Sequence, residues 1–393
     1  MLTPLPLPGL TPEESAHSAR VAEHLQGVIG DAGGWVPFSR FMQEALYAPG
    51  LGYYSAGARK FGAEGDFVTA PELTPVFARC LARQVAQVLD ETGGCVIEAG
   101  AGSGALAAEL LATLAARDAL PERYEILEVS ADLRERQRAA LAARDVALLE
   151  RVRWIDAPPS TPWQGVLVAN EVLDALPVER FRVTHEGCEA IGVVQDGAGF
   201  RFEARPASPD LAAAVTARLA SLPARLPAGY EGELCPWVRP WIAGLAQEMT
   251  QGALLLADYG LPRSQYHHPS RAGGSLCGFF RHRRVEDVLA RPGLQDITAW
   301  VDFTEVAEAG VAAGLEVAGF ATQAHFLLSL GLEEELAAAG EGLDATGRAR
   351  LSQAAAMLVL PGEMGERFKV MALSRGLQSR LAGFMFRDLA ATL

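Results

Sequence analysis

Three groups of residues in this sequence have the types and spacing to do chemistry. The first is Glu98 followed by Gly100, Gly102 and Gly104 in the stretch VIEAGAGSGAL. Glycines reach dihedrals closed to other residues and let a ligand approach the backbone, so such a turn between a strand and a helix suits a nucleotide-type cofactor. The second is Glu128, 24 residues after Gly104. A carboxylate at the end of the next strand can accept both ribose hydroxyls of an adenosine. The third is Asn170, Glu171 and Asp174 in VLVANEVLDALPVERF. These close a buried strand at its carboxyl end, where open α/β sheets place their ligands.

Two cofactors compete for the glycine turn. A dinucleotide expects G-x-G-x-x-G, with the pyrophosphate on the helix N-terminus. Here the spacing is G-x-G-x-G, with Glu98 directly before it. S-adenosylmethionine carries a sulfonium and an ammonium and no phosphate, so an acidic residue beside the turn is chemically sensible. Each group also has a plainer reading: a structural turn, a solvated strand-end Glu128, and an Asp174 that caps a turn.

These residues need a parallel sheet to position them. From Gly94 onward β and α segments alternate, which places helices on the faces of such a sheet. CVIEAG, YEILEVS, GVLVAN and GALLLADYG read as strands, and GALAAELLATLAARD and SADLRERQRAALAAR as helices, the second capped by Ser130. Before the sheet, residues 1–90 read as a helical cap. Its first helix has Thr11 as N-cap, Pro12 at the first helical position and Gly30 at its end. Residues 91–393 read as the core, interrupted by insertions at about 181–250 and 261–303. The first contains a hairpin around DGAG. The second is a long loop rich in Gly, Arg, His and aromatics, which a functional role would explain.

Composition narrows the function. Net charge is −14 and no long run of Lys or Arg occurs, which argues against nucleic-acid binding and suits cationic partners. Five cysteines lack any C-x-x-C pair, so no disulfide framework or metal site is expected and a reducing, cytoplasmic location fits. The N-terminal stretch carries acidic residues and no targeting pattern, and no apolar run approaches the roughly 20 residues that cross a bilayer.

GDFVTAPEL, EAGAGSGAL, ILEVSADLRERQ, ANEVLDALPVERF, LLADYG, RAGGSLCGFFRHR, DITAWVDFTEV and PGEMGERFKVMAL follow one another from about Ser39 to Leu373. In that order they resemble the S-adenosylmethionine-dependent methyltransferases related to the mitochondrial complex I assembly arginine methyltransferase, the mitochondrial dysfunction protein A family. The family often has GPGxG after the acidic residue, where this chain reads AGAGSG. The resemblance implies a class I, Rossmann-like methyltransferase fold with a seven-stranded, mostly parallel sheet. It also implies S-adenosyl-L-methionine as cofactor, and a partner protein carrying an arginine, such as a respiratory-complex subunit.

On that reading Asp66, Thr69 and Pro71 form a loop over the cofactor, with Thr69 toward the methionine carboxylate and Asp66 toward the ammonium. Glu98, Gly100, Gly102, Gly104, Glu128 and Asn170 complete its site. Thr69 and Glu72 have a competing structural reading as a capping box. A guanidinium acceptor calls for carboxylates, and by analogy with the double-acid loops of other arginine methyltransferases Glu171 and Asp174, with Asn170, are the catalytic candidates. Asp258, Asp296 and Asp302 are further acidic candidates, the last two expected first in structural hydrogen bonds. His282 in FFRHRR reads as structural more than catalytic. A small-molecule methyltransferase and a noncatalytic, cofactor-binding assembly chaperone remain alternatives, and a homodimer through cap or insert is a further expectation.

Overall fold

The computed structural model describes residues 8–56 and 69–393. They form two compact units, each built from separate stretches of chain. One contains Thr69–Asp174, Val238–Arg263 and Val301–Leu393; the other contains the described residues up to 56, Ala175–Trp237 and Ser264–Trp300. The division therefore runs differently from a boundary at residue 90.

The first unit is organised on a sheet of β1 (Cys95–Ala99), β2 (Arg123–Leu127), β3 (Val152–Ile155), β4 (Trp163–Asn170), β5 (Met249–Leu261), β6 (Val301–Asp302), β7 (Glu316–Thr322) and β8 (Phe368–Arg375). The order is β7-β8-β5-β4-β1-β2-β3, with β6 paired to the end of β5. Strands β3, β2, β1, β4 and β5 are parallel, and β8 runs antiparallel to β5 and β7. The sheet thus has eight strands where seven were expected. The extra one arises because Val301 and Asp302 pair in parallel with Gly260 and Leu261. The chain moves outward from β1 through β2 and β3, then returns to lay β4 on the other side of β1. Ligands bind at such a reversal, beyond the carboxyl ends of the two strands.

Helices α1 (Ala70–Leu73), α2 (Pro75–Thr92), α3 (Ala105–Ala116) and α4 (Ala131–Arg144) belong to this unit. Pro75 separates α1 from α2, since the residue before a proline is pushed to extended dihedrals, and Thr74 caps α2 by accepting from the Val76 N–H. Phe77, Leu81, Val85 and Val88 of α2 and Leu110, Leu111 and Leu114 of α3 share one core with Val96, Tyr124, Val166 and Leu255 from the strands. Strands buried on both faces read as unbroken apolar runs, which explains CVI and GVLVA.

In the second unit the N-terminal helix spans Pro12–Asp31 and opens on a capping box between Thr11 and Glu14. Its buried stripe, Val21, Leu25 and Ile29, follows the helical period. The DGAG hairpin forms as expected, pairing Cys188–Asp196 with Gly199–Pro206 within a five-stranded antiparallel sheet. A strand at Glu231–Leu234 was not anticipated. Nor was the three-stranded sheet inside the second insertion, Cys277–Phe280, Arg283–Val285 and Asp296–Thr298. Among the described residues no helix is long and apolar enough to cross a membrane.

Candidate active site

The glycine turn joins β1 to α3, and Gly100, Gly102 and Gly104 all take left-handed φ values, 69°, 52° and 86°. Side chains disfavour that region, so the spacing read in the sequence reflects a real conformational demand. Gly104 also has a packing reason, because a Cβ there would lie 2.9 Å from Gln137 Cα.

Glu98 lies in β1, 2% exposed, and accepts from Tyr124 Oη at 2.5 Å. Burial pushes its carboxyl up to about 7, against the pull of the phenol donor. Glu128 follows β2 directly and is buried. It accepts from the Ser130 N–H at 2.8 Å and from Gln137 Nε2 at 3.3 Å. Burial raises its carboxyl above the ordinary range, and those donors oppose the shift.

Gln137 is the residue the sequence reading missed. Fully buried on α4, it donates from Nε2 to the Gly102 carbonyl at 3.1 Å as well as to Glu128, and accepts from Trp154 Nε1 at 2.8 Å. One amide therefore ties the glycine turn to the strand-end carboxylate. The signal was present: Leu133, Gln137 and Leu141 form an i, i+4, i+8 stripe, and all three are buried.

Asn170 ends β4. Its Nδ2 donates to Glu171 Oε1 at 3.0 Å, while its Oδ1 is buried with no hydrogen-bond partner among the described residues. An unsatisfied buried acceptor of this kind fits a ligand that brings N–H or O–H donors, as the cationic amino-acid end of S-adenosylmethionine would. Glu171 takes a left-handed φ of 54° and donates its N–H to the Ala257 carbonyl at 2.9 Å. It keeps some accessible surface, yet its carboxyl is enclosed enough that burial, with the Asp174 charge second, pushes it up to about 8. The Ala70 backbone N–H of α1 pulls the other way.

Asp174 is buried and accepts from Tyr259 Oη. Asp258, in the last third of β5, receives three backbone donors: Leu173 N–H at 2.9 Å, Asp174 N–H at 3.2 Å and Tyr259 N–H at 2.9 Å. Burial and the neighbouring Asp174 and Glu171 hold Asp258 well above the usual carboxylate range.

Thr69 precedes α1, but its side chain makes no capping bond, so the capping box with Glu72 does not form. Pro71 lies in the first turn of α1. Asp66 is outside the described residues. Asp296 accepts from Tyr54 Oη at 2.7 Å, and Asp302 caps the helix Phe303–Ala312 through the Thr304 and Glu305 N–H groups; both take the structural part expected of them. His282 is exposed and forms a tight turn with Arg281, both at positive φ, between two paired strands.

Residues 80–321 match the model of a family of S-adenosyl-L-methionine-dependent methyltransferases. The chain is 30% identical to the rat protein named "Protein arginine methyltransferase NDUFAF7, mitochondrial", covering 93% of this chain and 86% of that one. For the human protein of the same name the identity is 28%, over 86% and 80%. A crystal structure of a Burkholderia thailandensis protein bound to S-adenosylhomocysteine superimposes with a TM-score of 0.92 at 44% identity, covering 99% of this chain and 100% of that one. The mitochondrial naming of these relatives overturns the cytoplasmic expectation, which had rested on scattered cysteines and the absence of a visible targeting pattern. S-adenosyl-L-methionine is the cofactor, and the enzyme class is settled by the same matches. This chain belongs to the S-adenosyl-L-methionine-dependent methyltransferase family.

Proposed function

We propose that the chain is a protein arginine methyltransferase whose acceptor belongs to a respiratory complex or another protein assembly. The observation that carries this reading is the placing of Glu171 and Asp174 just beyond β4, next to the strand that leads into the glycine turn. Two neighbouring enclosed carboxylates, with Glu171 raised by burial above its ordinary range, want a cation, and a guanidinium offers a planar fork of donors to them. The naming of the relatives as arginine methyltransferases agrees.

In this reading Thr69, Pro71, Glu98, Gly100, Gly102, Gly104, Glu128 and Asn170 hold the cofactor, which supplies a methyl carbon on a positively charged sulfur. Glu171, Asp174 and Asn170 face the acceptor. The carboxylates hold the guanidinium so that one nitrogen points along the line of the carbon–sulfur bond, at the 3–3.5 Å or so of a near-attack geometry. As the nitrogen–carbon bond forms and the carbon–sulfur bond breaks, positive charge passes from sulfur to the acceptor. Fixed carboxylates stabilise that charge at its destination, and the acceptor nitrogen then releases its proton to water or to the carboxylate pair.

The test supplies purified protein with S-adenosylmethionine carrying a tritiated methyl group and an extract from cells lacking this chain. Label recovered as methylarginine after acid hydrolysis of the protein fraction, and lost with Glu171→Gln, is the expected result. Label confined to small molecules would replace this reading with a small-molecule methyltransferase.

A further inference from the structure

Glu171, Val172, Leu173 and Asp174, the residues that follow β4, are each tied down. Glu171 donates its N–H to the Ala257 carbonyl of β5 at 2.9 Å. Val172 packs against Gly100. Leu173 and Asp174 donate their N–H groups to one atom, Asp258 Oδ2, at 2.9 and 3.2 Å. The other oxygen, Asp258 Oδ1, accepts the Tyr259 N–H at 2.9 Å, which holds the carboxylate to its own strand.

We propose that Asp258 is a positioning residue for methyl transfer, gathering the Leu173 and Asp174 N–H groups on one oxygen and so fixing the direction in which the loop presents Glu171 and Asp174. This role rests on the acceptor reading above, in which that loop faces the guanidinium. Two successive N–H groups converging on one oxygen form the kind of concavity with which a backbone holds an anion. Here the oxygen belongs to the chain itself and comes from β5.

Leu173 and Asp174 are both buried, and a buried N–H needs a partner. Asp258 serves both. It is itself fully buried, and burial with the neighbouring Asp174 and Glu171 holds its carboxyl well above the usual range. A carboxyl is therefore costlier to enclose here than an apolar side chain of similar size, and its bonds to the loop offset that cost. Lys369 lies opposite Asp258 on β8, but turns its ammonium to the Glu366 and Arg367 carbonyls. Methyl transfer depends on the line from the acceptor nitrogen through carbon to sulfur, so a small shift of the loop is felt in the rate.

The test compares Asp258→Ala with Asp258→Asn, whose side-chain carbonyl can still accept from the Leu173 and Asp174 N–H groups. Amide hydrogen exchange read by NMR in the S-adenosylhomocysteine complex should find both N–H groups protected in the unsubstituted protein and in Asp258→Asn, and exchanging freely in Asp258→Ala. Transfer of the tritiated methyl group to the proteins of the extract should fall by about tenfold or more in Asp258→Ala. S-adenosylhomocysteine affinity should fall far less, and Asp258→Asn should recover most of the rate. Unprotected Leu173 and Asp174 amides in the unsubstituted protein overturn the proposal, and that outcome needs no variant to fold. So does an Asp258→Asn as slow as Asp258→Ala, which would assign Asp258 a role through its charge. Equal losses of rate and S-adenosylhomocysteine affinity in Asp258→Ala overturn it too, because Asp258 would then support the whole site. Failure of the acceptor reading shows separately, as label confined to small molecules with the unsubstituted protein, and leaves the exchange measurement unaffected.

Discussion

Gly100 and Val172 pack so closely that a Cβ on residue 100 would fall 2.7 Å from Val172 Cγ2. The first glycine of the cofactor turn and the loop bearing Glu171 and Asp174 are therefore in direct contact. A displacement of one is felt by the other, because packed interiors have no slack at this scale.

Gly100→Ala should weaken S-adenosylhomocysteine binding about tenfold or more. The left-handed φ of 69° disfavours a side chain by roughly 1–2 kcal/mol, and the clash with Val172 adds to it. Calorimetric titration reads the loss. Adding Val172→Ala should recover the steric part and leave the dihedral part, so a double variant as weak as the single one would refute the packing argument.

Gln137→Leu keeps the volume and removes the amide. The Gly102 carbonyl, Glu128 Oε2 and Trp154 Nε1 each lose a partner, and an orphaned buried polar group costs about 1–3 kcal/mol. The expected result is a lower melting temperature together with weaker S-adenosylhomocysteine binding. Loss of stability with unchanged affinity would mean that Gln137 only packs.

Glu98→Gln should stabilise the protein at alkaline pH and change little near pH 4. The folded carboxyl is raised from 4.5 to about 7, so between those values the folded state binds more protons than the unfolded one and stability falls as pH rises. The ceiling on that loss is about 3 kcal/mol above pH 7. Thermal melts of both proteins at pH 5 and pH 8 check it: the variant's advantage should appear only at the higher pH.

Much of this was legible in one dimension. The apolar runs before Glu98 and Asn170, the glycine spacing and the βα rhythm follow from local rules of dihedral freedom and burial, and the sheet formed from them. The strands at Glu231–Leu234, Cys277–Phe280 and Arg283–Val285 escaped because three or four residues are too few for a period to show. Their pairing is decided by partners elsewhere in the chain. The break at Pro75 between α1 and α2 appeared only in the structure, and nothing local indicated that α2 packs into the sheet's core.

By itself the sequence determined that one strand carries a carboxylate near its end and runs into three glycines, and that three polar residues close another. Those facts are local, set by which residues tolerate positive φ and which runs must be buried. Only the tertiary structure decided that β1 and β4 lie side by side, that Gln137 bridges Gly102 to Glu128, and that Asp258 and Tyr259 grip the Asp174 loop. Each of these joins residues from separate elements, and a hydrogen bond between distant positions leaves no spacing in the chain from which to read it.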